Sequence, residues 1–553
     1  MSGRRAAALR VAIGVAALAY VAHVTTLAGG GDLWRYPYVH ADSWDWLANG
    51  LRWSGVPVHS TWRAPLNPLV YAALWSHGLE HAIPWLAPLG FAAILVGLLT
   101  IGWAALGPAA AAGALLVASN HLLLAHALTI GSDVLSAGLG LLGLLALCVA
   151  MERRAAGWLY VASAGLVLGF LTQPSTPFLA PACAAVVLYD ARARRWVGLD
   201  GVRWLLRRRH AWGALALGVG LLAAVACLRR LLIGTWTTPS SIGRPVVFGL
   251  DHAAFYGWCT LGALGIPAAV LAGFGVVSGL RHAERRRATL ALVGAVAGMV
   301  ALFGFAYDWR DNRFVVYWAA PGLLLAGLGV TRLPLAAALP ALAAAVVWGN
   351  LTARAAGGPP GHAAAIVLAP HRVWEIAYHA TGTTTAVVAT DRPAYPFARR
   401  VRRWVRRQQR RFANPARDGI VFAERRYAVA AGAARHLGPN QTLFLHVGPD
   451  EDPTYVYVLQ NQMALWSGHP AQATRLGVPA AAAVLADPTA IVVLRRAELD
   501  RLRAEHIVAP DVTVLDDGAA WMLIGLGPGR GAQGRARNSR TMSSSERVIP
   551  QPG

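Results

Sequence analysis

The chain has 553 residues, 56% hydrophobic and 14% charged, with a mean hydropathy of +0.44. That composition excludes a single soluble globule and indicates a polytopic membrane protein. Fifty cations against 27 carboxylates give a formal charge of +23, and every one of those cations is arginine, which excludes a P-loop lysine and Schiff-base chemistry and leaves arginine as the strong side-chain ligand for phosphate.

Apolar stretches suited to crossing roughly 30 Å of hydrocarbon fall near residues 8–28, 84–106, 109–127, 130–150, 157–173, 175–190, 211–233, 256–280, 289–307, 314–331 and 335–350, about eleven in all. The first follows an Arg-Arg pair and is long enough to span, so it reads as a signal anchor rather than a cleaved leader. Cys148, Cys183, Cys227 and Cys259 lie inside apolar stretches without metal or disulfide spacing and read as small core residues. Arginine sets the orientation. With the N-terminus cytoplasmic, 17 of the 25 arginines before residue 351 fall inside, whereas Asp32, Asp42, Asp45, Glu80, Asp133, Asp251, Asp308 and Asp311 fall outside. The polar chemistry is then extracytoplasmic, and an odd span count places residues 351–553 there too.

The first outer connection, residues 30–83, holds Trp34, Trp44, Trp46, Trp53, Trp62 and Trp75, and indole rings favour the membrane interface. Within HADSWDWLANGLRWSG, helical spacing sets Asp42, Asp45, Asn49 and Arg52 on one stripe and Trp44, Leu47, Ala48 and Leu51 on another. An amphipathic interfacial helix is expected, with two acids at its start that also suit an N-cap and a first-turn dipole partner.

The run DSWDWLANGLRWSG followed by STWRAPLNPLVYAALW resembles the first outer loop of the GT-C superfamily of polyprenyl-phosphate-sugar-dependent glycosyltransferases, near its protein O-mannosyltransferase and aminoarabinose transferase branches. In that loop an acid shortly after the first span is followed by a basic residue in an R/K-x-P-L-x-P stretch. Asp42 and Arg63 occupy these places, with Trp46 where relatives often carry tyrosine and with Asp45 as the other candidate acid. The resemblance continues through LAHALTIGSDVLSAG, which puts Asp133 where relatives carry a second acid. LTQPSTPFLAP matches a polar, proline-containing break, with Gln173 where arginine is common. DWRDNRFVVYWAAPGLLLAGLG has Arg313, Phe314 and Pro321 in the order of a late R-Y-x-x-x-x-x-P segment, Phe314 replacing tyrosine. The match covers roughly residues 5–350.

The resemblance implies an α-helical GT-C-like membrane domain that transfers a sugar from a polyprenyl-phosphate donor. The leaving group is a stabilised anion, so one base and several cations suffice. Asp42 or Asp45 is the expected base; Arg63, with Arg313 or Arg310, is expected on the donor phosphate. Asp133, Gln173 and Asp308 are the substrate-positioning candidates. Structural roles stand beside the chemical ones: Arg63 as a loop anchor, Asp133 as a helix cap, and the DWRDNR charges as a self-paired hairpin. His59, His77, His81, His121, His126 and His252 show no metal-binding spacing, so no metal ligand is assigned, although some relatives use a divalent ion.

After the last span, residues 351–418 form a basic connecting segment whose FARRVRRWVRRQQRRF face suits anionic lipid head groups or an anionic acceptor rather than nucleic acid. Residues 419–526 alternate strand-like and helix-like runs (GIVFAERRYAVAAGAARHL, TLFLHV, YVYVLQNQM, AIVVL, RRAELDRLRAEH, VTVL, AWMLIGL) and are expected to form a small extracytoplasmic α/β domain. Residues 527–553 are low-complexity and read as a disordered tail. The expected partners are membrane lipids, the lipid-linked sugar and a protein, lipid or glycan acceptor. The competing readings are a lipid-linked polysaccharide ligase or polymerase, whose large loop usually interrupts the spans, and a transporter, which calls for mid-membrane charges and an internal repeat. The charges here lie at span ends.

Overall fold

The computed structural model describes residues 43, 46, 47, 49, 50, 53, 63–77, 79–127, 130–189, 198–233, 256, 257, 260, 261, 263–306, 312–354, 375–378, 384–387, 433, 435–438, 441–447, 471–517 and 521–526. The chain divides into two compact units: residues 1–40, 64–67 and 81–410, and residues 41–63, 68–80 and 411–553.

The first unit is helical and multi-pass. Five helices are long and apolar enough to cross a membrane: α2 (Leu86–Leu106), α5 (Asp133–Arg153), α9 (Arg209–Leu232), α11 (Ala283–Phe305) and α12 (Arg313–Val330). Five apolar helices are shorter: α3 (Pro108–Ser119), α6 (Trp158–Thr172), α7 (Thr176–Leu188), α10 (Ile266–Arg281) and α13 (Leu335–Val346). Each expected span from 84–106 onward coincides with one of these ten, but length and composition support five full crossings, so the expected count of about eleven is not established. The stretch at 8–28 lies outside the described residues. Before residue 351 the structure also describes the short helices α4 (His121–Ala127) and α8 (Asp200–Leu206) and, mostly within the second unit, α1 (Leu66–Ser76).

Small residues decide how closely these helices pack, because lipid supplies no hydrophobic drive between them. A Cβ on Gly143 of α5 would meet the Leu166 amide nitrogen of α6 at 2.7 Å, and one on Gly275 of α10 would collide with the Leu325 carbonyl of α12. Such contacts enclose α12, 94% of whose apolar stretch is buried, whereas for α9 the share is 17%. Yet α9 is the more hydropathic of the two. Between these two helices, enclosure follows the small-residue contacts and not hydropathy.

The second unit contains a five-stranded sheet in the order β4-β3-β5-β7-β6, built from β3 (Leu443–His446), β4 (Ala471–Thr474), β5 (Ile491–Arg495), β6 (Thr513–Asp517) and β7 (Trp521–Gly525). The β3 strand pairs parallel with β4 and β5, and β7 pairs antiparallel with both β5 and β6. Ile491 to Leu494 of β5 are buried on both faces, as a central strand requires. The amphipathic helix α14 (Arg496–Ala504) buries Leu499 and Leu502. An antiparallel pair, β1 (Glu375–Tyr378) with β2 (Thr384–Val387), belongs to the first unit and falls in the stretch read as a basic connecting segment.

His446 of β3 is fully buried and has both ring nitrogens engaged. The Leu476 amide donates to Nδ1 at 3.1 Å, so Nε2 carries the proton that faces Glu498 Oε2 at 3.2 Å. Burial pushes the imidazole pKa below its ordinary value against the pull of Glu498. Desolvation works to raise the Glu498 carboxyl, but hydrogen bonds from Arg501 and His446 outweigh it and hold the group below its ordinary value.

Candidate functional site

At the start of α5, Ser132 is the N-cap residue and Asp133 the first helical residue. The Tyr317 hydroxyl, from α12, donates to Asp133 Oδ1 at 2.7 Å. Ser132 makes no side-chain cap bond; its hydroxyl donates to Gln173 Oε1 at 3.3 Å. Gln173 closes α6 in extended backbone, φ −158° and ψ 132°, as expected for a residue before proline. Ser136, one turn into α5, donates to the Gly169 carbonyl at 3.0 Å, with the Gln173 carbonyl at 3.4 Å. The break at Gln173-Pro174 is therefore fastened to the first turn of α5.

Arg313 stands one helical turn before Tyr317, close enough for each to act electrostatically on the other. Its guanidinium carbon lies 5.0 Å from the Phe314 ring centre. Phe303 stacks on Phe314 at 4.4 Å and on Tyr317 at 5.2 Å, which fixes the plane of the phenol. Pro321, inside α12, has no N–H to give the Tyr317 carbonyl. Asp133, Gln173 and Arg313 are thus brought together through Ser132 and Tyr317, and of these five only Ser132 and Tyr317 were not singled out from sequence. Phe314 carries no hydroxyl, and the phenol of this cluster comes from Tyr317, three residues further on.

Arg63 belongs to the second unit. Its side chain is buried, 7% exposed, with the guanidinium carbon 5.3 Å from the Trp46 ring centre. Trp46, which departs from the GT-C pattern, is thus the ring that seats the expected phosphate ligand. Ser43, Trp46, Leu47, Asn49, Gly50 and Trp53 are helical and buried. The buried face therefore differs from the apolar stripe expected of an interfacial helix: Asn49, expected on the polar stripe, is inside. The physical reason is protein packing, since a Cβ on Gly50 would meet Tyr71 Cβ of α1 at 2.9 Å. Asp42, Asp45, Arg310 and Asp308 lie outside the described residues. Among the described residues, no group of three His, Cys, Asp or Glu side chains could hold a metal ion.

The fold, apolar helices with a strand-containing C-terminal region, is similar to that of solved membrane proteins over most of the chain. The crystal structure of ArnT (aminoarabinose transferase) from Cupriavidus metallidurans bound to undecaprenyl phosphate superposes with a TM-score of 0.54 at 13% identity, covering 93% of this chain and 98% of that one. The apo structure of the same ArnT gives 0.56 at 14% identity, covering 94% and 100%. No protein-family profile matches the sequence, and no curated protein does.

Proposed function

We propose that the chain is a membrane glycosyltransferase that moves a sugar from a polyprenyl-phosphate carrier to an acceptor hydroxyl or amine on the extracytoplasmic face of a bacterial inner membrane. The observation that carries this reading is the Asp133–Tyr317 hydrogen bond beside Arg313, held in a fold shared with ArnT, a protein solved with undecaprenyl phosphate bound. The segregation of acids and arginines along the sequence supports the orientation, with the N-terminus cytoplasmic and the C-terminal domain outside.

In this reading Asp42 or Asp45 takes the acceptor proton as the acceptor oxygen or nitrogen attacks the anomeric carbon. The bond from that carbon to the carrier phosphate breaks, its electron pair leaves with the phosphate, and the configuration inverts. Arg63, with Arg313 or Arg310, neutralises the departing phosphate. Asp133 is held by Tyr317 to orient a cation or a sugar hydroxyl, and Gln173 and Asp308 position the sugar.

The test is transfer in proteoliposomes from a panel of polyprenyl-phosphate sugars to cell-envelope acceptors. Replacing the base, Asp42→Asn or Asp45→Asn, is expected to lower turnover by roughly 10²–10⁴-fold with folding intact. Absence of donor binding and of transfer across the panel would overturn the reading. Repeating the assay with a chelator decides the divalent ion: unchanged turnover excludes it, and loss restored by one metal assigns it.

A further inference from the structure

Seen along α5, Asp133 and Arg154 lie at opposite membrane faces, since 21 residues of helix span roughly 31 Å. At the Arg154 face the helix ends with that residue left-handed, φ +52°, a conformation that suits glycine better than arginine. The Arg154 guanidinium carbon lies 5.3 Å from the Trp204 ring centre, and that of Arg208 lies 5.9 Å from the same ring. Trp204 is carried by α8, just before α9, and its indole Nε1 is buried with no hydrogen-bond partner among the described residues.

The surroundings combine positive charge with exposed apolar side chains. Leu199, Leu206 and Trp212 are 58%, 57% and 55% exposed, and Trp212 Nε1 donates to the Leu206 carbonyl at 3.1 Å. Arg203, Arg207 and Arg209 are exposed beside them. Of the carboxylates on this face among the described residues, Glu152 pairs with Arg287, Asp200 lies 3.9 Å from Arg203, and Glu284 is exposed at the start of α11. A soluble anion would account for the guanidiniums but not for leucine and tryptophan exposed at the same level.

The geometry points to a head-group site for an anionic phospholipid at Arg154, Trp204 and Arg208, with Leu199, Leu206 and Trp212 against its acyl chains. The two guanidinium forks and the indole N–H donate to phosphodiester oxygens, and the arginine–indole stacking holds the forks in place before the lipid arrives. This site is separate from the proposed transfer chemistry, and its test needs no turnover.

The intact chain is reconstituted in bilayers of phosphatidylcholine and phosphatidylglycerol, extracted gently, and its retained lipids counted by native mass spectrometry. Selective retention of phosphatidylglycerol is expected. Arg154→Gly relieves the left-handed backbone, so it should fold, and it is expected to weaken retention about fivefold, as is Arg208→Gln. Trp204→Phe, which keeps a ring but loses the N–H, should weaken it less. Equal retention of both lipids, or retention indifferent to both arginine substitutions, would overturn the proposal. Displacement of the lipid by millimolar inorganic phosphate would overturn it in favour of a free-anion site, and resistance to phosphate would support it.

Discussion

The two ends of α5 are built from different materials. At the Asp133 end, side chains bond to side chains: phenol to carboxylate, hydroxyl to amide, with Arg313 a turn away. At the other end, guanidiniums are satisfied mainly by backbone. Arg153 donates to the Ala104 carbonyl at 2.8 Å, Arg286 to Leu280 at 2.6 Å and Arg287 to Tyr189 at 3.0 Å, and Arg287 also pairs with Glu152. Those carbonyls lie at or just beyond helix C-terminal turns, where partial negative charge collects. One end can therefore redistribute charge around a ligand, while the other spends its charge on closing helices and meeting head groups.

Substitutions test that contrast. The largest effect expected is from Asp133→Asn, which should lower transfer by about 10²-fold while leaving thermal unfolding nearly unchanged; a large loss of stability with transfer per folded molecule intact would make the two ends alike. Glu152→Gln should do the reverse. It strips a buried guanidinium of its counter-charge and is expected to cost about 2–3 kcal/mol in chemical denaturation, less than for a fully dry pair because Glu152 is 39% exposed, with little change in turnover per folded molecule.

Tyr317→Phe keeps the stack on Phe303 and removes one hydrogen bond to a charged group. Transfer is expected to fall about tenfold, and an unchanged rate would show that Asp133 needs no such partner. The smallest effect concerns His446. Its folded pKa is lowered, so its contribution to stability is present above the unfolded pKa and declines as pH falls through that value toward the folded one. Unfolding followed between pH 7 and 5 should show the C-terminal sheet losing stability as the pH falls, and His446→Gln should flatten that slope.

Local pattern carried much of this structure into the sequence. Hydropathy located ten apolar helices, with ends displaced by up to about ten residues at 256–280 and 109–127, and TLFLHV, AIVVL, VTVL and AWMLIGL coincide with β3, β5, β6 and β7. The strand β4, Ala-Gln-Ala-Thr, is too short and too polar to announce itself before its parallel partner is in place. Asp133, Gln173 and Arg313 were legible because each sits at an abrupt polar break in an apolar run. Tyr317 was not: it stands inside such a run, and its partner is 184 residues away. The Arg287–Glu152 pair is separated by 135 residues and was hidden for the same reason. The buried face of the helix around Trp46 was misread because amphipathicity was referred to the bilayer, whereas Gly50 packs against Tyr71.

The contrast between α9 and α12 bears on how the chain is made. A helix as apolar and as little enclosed as α9 partitions into the bilayer on its own account when it leaves the ribosome. The less hydropathic α12 carries Arg313 at one end and relies on α3 and α10 for close packing, so its membrane residence is tied to helices synthesised before it. A reporter fused just after α9 should therefore take the side expected of an inserted span, whereas one fused just after α12 should do so only while the glycine contacts of α10 are intact. Assembly is then sequential, and the polar cluster at Asp133 forms only when this late helix is captured.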